Sequence, residues 1–518
     1  MRGCPRWVVA DWYGHRAGRR RSLSRWRVRR DRSSLLNGAC YDFGVLEREE
    51  RDPHPSAETV FCFSWAAAEL FDLACFPDWI THPAGVGLFL AAVSVLLKPS
   101  SATRLLTLCL LDVAYLWVKS PWTPNHFLFK GLVCLSLLTV AVRSRHREAF
   151  AAEAAAILRL ELCALYFFSF FHKLNWDFFA SPHSCAGFML TGLSERFPFV
   201  PAGGWVDVGA VWGTFLIEGG LPVLLLIPRT RFWGLLLAWG FHFLLSFHPR
   251  PGIYAFSAMM YALLSLFLPA DFYAHWERQI AGRPRWRAIR ERFPQSGGVW
   301  LRTFFLGAAG VAVVAAAGLL ASGVNLRGTQ LSEWPRLAGM VVWIPYALIL
   351  LAALWIGWPP SAPRPIRFRP AYRSAALAVV ALIILNGLAP YLGFQTVRVL
   401  SMFSNLRTEG GASNHMLVPV RWQIADYQTD LVEIVSSSEP VLQFYADAHQ
   451  WIPFAEVRRR IWDSAAPTTV KFIRRGRTYS VNTGEPNAAE QVPPLNFFAR
   501  KILAFRGINQ DGSAECLW

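Results

Sequence analysis

The stretch Phe167-Phe168-Ser169-Phe170-Phe171-His172-Lys173-Leu174-Asn175-Trp176-Asp177-Phe178-Phe179-Ala180-Ser181-Pro182-His183-Ser184-Cys185-Ala186 decides how the rest of the chain is read. An apolar helix runs into it, closes on His-Lys-Leu-Asn, and gives way to an aromatic segment broken by Pro182. A membrane helix reaches the headgroup level in this manner: Lys lays its stem on apolar surface with the ammonium in water, and Trp settles with one edge wet. Composition supports the same class. Of 518 residues, 53% are hydrophobic and only 17% are charged, against roughly 25% charged in soluble domains. The net charge of +17 comes from Arg in the N-terminal tail, between apolar blocks and in the C-terminal region. Enrichment of Lys and Arg in cytoplasmic loops accounts for that placement without a nucleic-acid partner.

Outward from the central stretch, apolar blocks fall near 59–77, 81–97, 103–119, 126–143, 150–172, 206–228, 231–248, 252–269, 301–322, 338–358 and 374–394. The expectation is an all-α polytopic membrane bundle of about eleven transmembrane helices, although several blocks fall short of ~20 residues. The first block is the weakest, because Glu69 and Asp72 interrupt it. The tail 1–56 reads as a disordered, Arg-rich cytoplasmic segment, since no apolar h-region lies close behind its start. A core at 57–270, a basic cytoplasmic loop at 271–300 and further helices at 301–394 follow.

Three basic loops (Arg143 to Arg147, Arg278 to Arg292, Arg364 to Arg373) and the tail share one side if every block crosses. That side is read as cytoplasmic, which puts His172–Cys185 and everything after Phe394 outside. The composition changes over 395–518. Val418–Ile424 and Leu431–Val435 read as strands, Phe454–Trp462 as a helix, and Val470–Ile473 with Thr478–Val481 as a hairpin about Arg475-Gly476. A small extracytoplasmic α+β C-terminal domain, folded against the outer mouth of the bundle, is the expectation.

Nine cysteines (4, 40, 62, 75, 109, 134, 163, 185 and 516) show no CxxC pair or metal spacing. Several lie in apolar blocks, where Cys is usually a small hydrophobe, and no disulfide framework is expected. Ionisable groups at membrane depth are costly and therefore functional candidates. His126, His172, Lys173, His242 and Glu218 are such candidates, with Asn125, Asp112 and Glu161 beside them. Each also has a plain structural role available. Lys173 could be a snorkelling anchor, His242 an interhelical hydrogen-bonding group, and Glu218 a cap before Gly219-Gly220 and Pro222. Asp112 and Glu161 are expected to pair with Arg or Lys.

His172-Lys173-Leu174-Asn175, followed by Asp177-Phe178 and Ser184-Cys185, resembles the HTTM proteins. This horizontally transferred transmembrane domain is related to vitamin K-dependent gamma-carboxylases, and the resemblance spans roughly residues 60–400. It implies that Lys173 is a base for a vitamin K-type half-reaction, that Asn125-His126-Phe127 opens a matching helix, and that Phe241-His242 and Gly252-Ile253-Tyr254-Ala255-Phe256 form a further matching pair. The usual Phe-Pro after that Gly is absent here, and Trp176 stands closer to the Lys than in the family. A stretch from Leu388 to Phe394 and from Met402 to Gly410 resembles a subgroup signature with no chemistry attached.

Two functions follow as expectations. One is an integral-membrane enzyme of the cell membrane, carboxylase-like or redox, using a reduced quinone as cofactor, with Lys173 as base and His126 as its partner. The other is a non-catalytic transporter, or a scaffold presenting the C-terminal domain; membrane lipids are partners in either case.

Overall fold

The computed structural model describes residues 57–121, 123–144, 146–180, 184–250, 252–281, 333–359, 363–368, 374–509, 514 and 516. The Arg-rich tail 1–56, the basic loop beyond residue 281 and the block at 301–322 lie outside these residues. Every other apolar block is helical: α1 (Ala57–Cys75), α2 (Pro83–Leu97), α3 (Ala102–Lys119), α4 (Asn125–Arg143), α5 (Arg147–His172), α8 (Trp205–Leu226), α9 (Arg231–Leu245), α10 (Ile253–Ser265), α12 (Glu333–Gly357) and α13 (Leu377–Leu392). Short helices α6 (Trp176–Ala180), α7 (Cys185–Arg196) and α11 (Phe272–Ala281) join them.

Local chemistry sets the helix ends. Pro83 opens α2, where its missing N–H costs nothing. The Ser101 hydroxyl accepts from the Arg104 N–H at the start of α3. Gly393, at φ 84°, closes α13 in a left-handed turn that a side chain would strain. Pro222 lies inside α8 without ending it, so Glu218 caps no broken helix.

Among the described residues, four helices are long and apolar enough to cross a membrane: Asn125–Arg143, Arg147–His172, Trp205–Leu226 and Pro335–Gly357. Pro83–Leu97, Arg231–Leu245, Ile253–Ser265 and Leu377–Leu392 are apolar but shorter. A count of eleven spans is therefore not supported. Hydropathy blocks include turns that the helices leave out, and α1 and α3 carry Glu69, Asp72 and Asp112, which the bundle buries. The first block is a complete helix all the same, because those acids turn inward.

The helices run back and forth, so their ends form two sets. At one end Arg147 Nε lies 3.1 Å from Glu58, and Arg231 Nη1 donates to the Arg364 carbonyl at 3.0 Å. At the other, Arg398 and Lys501 both reach Ser120 beyond α3, and Lys173 reaches Met402. The C-terminal region sits on this second end and belongs to the same compact unit as the bundle.

That region holds a five-stranded antiparallel sheet: β1 (Leu431–Ser437), β2 (Gln450–Pro453), β3 (Thr469–Arg474), β4 (Arg477–Asn482) and β5 (Ile508–Asn509), in the order β4-β3-β1-β2-β5. Alternation puts Val432, Ile434, Val470 and Phe472 on one face. Helices α14 (Pro440–Asp447) and α15 (Phe454–Asp463) cover that face with Leu442, Val457 and Ile461. Arg475 and Gly476, both at positive φ, make the β3–β4 turn, as expected of a two-residue hairpin. Val418–Ile424 is not a strand. Its only regular turn is a 3₁₀ turn at Val420–Trp422, and Ile424 and Ala425 donate back to the Leu392 carbonyl.

The structure also corrects the cysteine reading. Cys185, at the start of α7, is bonded to Cys516 across 331 residues of chain. No spacing rule could have paired them.

Candidate functional site

Two buried charge clusters lie near the end of the bundle that carries the sheet. The first is built inside the bundle. Lys130 of α4 places its ammonium 2.8 Å from Glu69, 2.8 Å from Asp72 and 3.3 Å from Asp112. His126, one turn earlier, donates Nε2–H to Asp72 at 3.0 Å. Helical spacing explains the arrangement: Glu69 and Asp72 lie three apart on α1, His126 and Lys130 four apart on α4, so each pair shares a face. Asp112 pairs with a Lys, as expected. Glu161 does not: it accepts a hydrogen bond from Ser136.

The second cluster is assembled across the chain. Lys173 is 1% exposed and is not a snorkelling anchor. Its ammonium lies 2.7 Å from the Glu218 carboxylate of α8 and donates to the carbonyls of Met402 at 2.8 Å and Ser169 at 3.3 Å. Lys173 and His126 thus have different partners. The expected Lys173–His126 pair is replaced by Lys173–Glu218 and His126–Asp72, because α8 packs on α5 and brings its acid to the end of that helix, while the acids of α1 reach the side chains of α4. His172 turns the other way, its Nδ1 2.8 Å from the Tyr391 hydroxyl. His242 Nε2 lies 3.0 Å from the hydroxyl of Tyr166, which sits two turns below Lys173. The Phe256 ring packs against both His242 and His126, with centroids 5.4 and 6.1 Å away.

Among the described residues of the 172–185 stretch, Asn175, Asp177 and the backbone N–H groups of Trp176 and Cys185 are spent on one seam. Asn175 donates to the Ser404 carbonyl and accepts from the Phe178 N–H at 2.9 Å. Trp176 N donates to the Asn414 carbonyl, and Met416 N to that of Leu174. Asp177 accepts from Asn414 Nδ2 at 2.8 Å and from Ala514 N at 2.9 Å. The Cys185 N–H donates to Asn405 Oδ1 at 2.7 Å, and Asn405 Nδ2 reaches the Ala514 carbonyl. Segment 402–416 is thus a plug over Lys173, fastened by the 514–516 tail and the disulfide. Its backbone is unusual. Met402, Phe403 and Asn405 are non-glycine residues at positive φ, a conformation kept only where surroundings impose it.

His415 locks the plug to the bundle. Its Nε2–H donates to the Phe171 carbonyl at 2.9 Å, and its Nδ1 accepts from Leu417 N and Val418 N at 3.1 and 3.0 Å. A nitrogen accepting from two backbone amides has no room for a proton. Burial pulls the His415 pKa below its ordinary value, while the bond to Phe171 opposes that shift.

Sequence reasoning singled out Lys173, His126, His172, His242 and Glu218, and all five side chains are buried or nearly so. It passed over Lys130, Glu69 and Asp72 as site residues. Their signal was present in the i, i+3 and i, i+4 spacing of charges within apolar helices. It marked Asn405 only as part of a signature with no chemistry attached, and it passed over Asn414 and His415, which nothing local marks. No protein-family model, curated protein or solved structure matches the chain. Among the described residues no group of three or more His, Cys, Asp or Glu side chains is arranged to hold a metal ion.

Proposed function

We propose that the protein is an integral-membrane enzyme whose reactive pair is Lys173–Glu218, at the extracytoplasmic end of its bundle. The observation that carries this reading is the burial of an ammonium–carboxylate pair at 2.7 Å, two turns from a Tyr166–His242 hydrogen bond. In a low-dielectric setting a charged Lys–Glu pair and the neutral amine–acid pair lie close in energy, because the desolvation cost of two charges offsets their attraction. Passing the Lys173 proton to Glu218 therefore yields a neutral amine without creating net charge. A base of that kind suits general-base work on a weakly acidic hydroxyl.

The resemblance to HTTM proteins and gamma-carboxylases points to a reduced quinone as the partner, whose weakly acidic ring hydroxyl would give its proton to the neutral Lys173 amine. The residues present fit such a group. His242 Nδ1 is buried and makes no hydrogen bond, beside the aromatic ring of Phe256. It would hold a ring oxygen. His126, kept in one orientation by Asp72, would line the other side. The extracytoplasmic placement is supported by the Cys185–Cys516 bond, since disulfides persist outside the reducing cytosol. The cytoplasmic side for the Arg-rich tail and loops follows from the same orientation.

A non-catalytic scaffold is the second reading, and one observation favours it. Lys173 already has three acceptors for its three N–H bonds, as a purely structural ammonium would. Lys173→Arg separates the two. Arg keeps the charge and cannot be deprotonated, so an enzyme loses its function while a scaffold retains it. The measurement is complementation of a deletion strain, with quinone and lipid extracted from the purified protein identified alongside. Full complementation by Lys173→Arg, with no quinone recovered, would leave the scaffold.

A further inference from the structure

The C-terminal region carries two groups of large apolar side chains that its own core does not use. On helix α17 (Phe497–Ile502), which follows the short α16 (Ala488–Gln491), Phe497, Phe498 and Ile502 are each more than half exposed. Around the 3₁₀ turn at Val420–Trp422, Leu417, Trp422 and Ile424 are exposed to the same degree or more. Six such side chains on a small α+β domain exceed the scattered exposure of an ordinary surface.

Their positions are fixed by the bundle. Lys501 Nζ donates to the Ser120 carbonyl at 3.1 Å, and Arg398 bridges the Ser120 hydroxyl and the Lys501 carbonyl. Helix α17 is therefore tied to the end of α3. The Phe497 ring lies 6.1 Å from that of Trp117, which with Val118 and Leu110 forms an exposed apolar strip along α3. On another flank, Ile424 N donates to the Leu392 carbonyl at the end of α13, which exposes Leu382, Ile384 and Leu385 about two turns and more below that end. The first group thus prolongs the exposed apolar face of α3 past its last turn, while the second lies beyond the end of α13, whose last two turns are covered. Trp117 lies two residues, about 3 Å, below the end of α3. That is the level at which aromatic side chains collect at a membrane boundary.

We propose that these two groups form a lipid-docking surface, through which the C-terminal domain inserts into the acyl-chain boundary of the outer leaflet. Continuity with the exposed apolar face of α3 selects lipid as the occupant, and Arg421, exposed beside Trp422, would meet a headgroup phosphate. The domain is then a part of the membrane interface, clamped at two points. Its sheet and the plug over Lys173 are held at a fixed height above the bilayer. The inference rests on the membrane reading given above.

The test is photocrosslinking of the full chain in native membranes. The photoreactive residue p-benzoylphenylalanine is introduced singly at Phe498, at Ile424, at Leu216 on the exposed face of α8, and at Arg475 on the β3–β4 turn. Lipid adducts are then read by mass spectrometry. Lipid adducts at Phe498 and Ile424, at yields like that of Leu216 and with none at Arg475, are the expected result. An adduct at Leu216 with none at Phe498 and Ile424 overturns the docking surface and leaves the membrane reading standing. A covalent dimer through Phe498 or Ile424 overturns it in favour of a second copy. Absence of lipid at Leu216 as well overturns both readings.

Discussion

Lys130 and Lys173 are two buried lysines near the same end of one bundle, and they are built in opposite ways. Lys130 takes three carboxylates from two helices, α1 and α3, within about sixty residues of itself, and no backbone carbonyl. Lys173 takes one carboxylate and two carbonyls, one of them from Met402, 229 residues away. The first cluster is surrounded by acid and fixed in place by the bundle. The second is balanced one to one and closed by a plug from another part of the chain. A one-to-one pair can exchange its proton internally, whereas an ammonium facing three acids cannot become neutral without stranding charge. This is why the candidate chemistry sits at Lys173 and the architectural role at Lys130.

The largest effect that would test this contrast is expected from Lys130→Met. Three carboxylates would lose their only ammonium, and removing one partner of a buried pair already costs about 3–5 kcal/mol. Loss of monodisperse protein on purification is expected, and no single neutralisation of Glu69, Asp72 or Asp112 should restore it. A stable Lys130→Met protein would erase the distinction between the clusters.

Lys173→Met should also destabilise by about 3–5 kcal/mol, through the stranded Glu218. Here a second change is expected to repair the damage. Lys173→Met with Glu218→Leu should recover most of the melting temperature, because the pair is one to one. Failure of the double variant to recover would mean that the Met402 and Ser169 carbonyls depend on the ammonium as much as Glu218 does.

Opening the plug comes next in size. Cys185→Ser, or reduction of the disulfide, should cost about 2–4 kcal/mol. Hydrogen exchange should rise selectively over 402–416, since the 514–516 tail holds Asn405 and Asp177 there. Uniform exchange across the bundle would show that the tail does not fasten the plug.

The smallest effect concerns pH. His415 binds its proton less readily when folded, so its contribution to stability is present above its ordinary value of 6.5 and is lost as pH falls below that value. A decline of about 1 kcal/mol, the scale of one hydrogen bond, is expected on acidification from neutral pH. It should vanish in His415→Gln. Persistence of the full slope in that variant would assign it to another group.

The sequence alone determined most of the elements. Apolar blocks became helices because burying a long apolar run with its backbone bonds satisfied leaves few alternatives, and β1, β3, β4 and α15 followed from period and turn chemistry. It also marked Lys173, Glu218, His126, His172 and His242, because ionisable residues in apolar runs stand out individually. Tertiary structure decided which of them meet. Lys173 found Glu218 and not His126, Cys185 found Cys516, and the 172–185 and 402–416 stretches proved to be two sides of one seam. The same holds for crossing length: Glu69 and Asp72 weaken α1 on any hydropathy scale, yet Lys130 receives them. Hydropathy and helical period act over a few turns of chain and can be read locally. Pairing between groups hundreds of residues apart depends on how helices pack, which no spacing encodes.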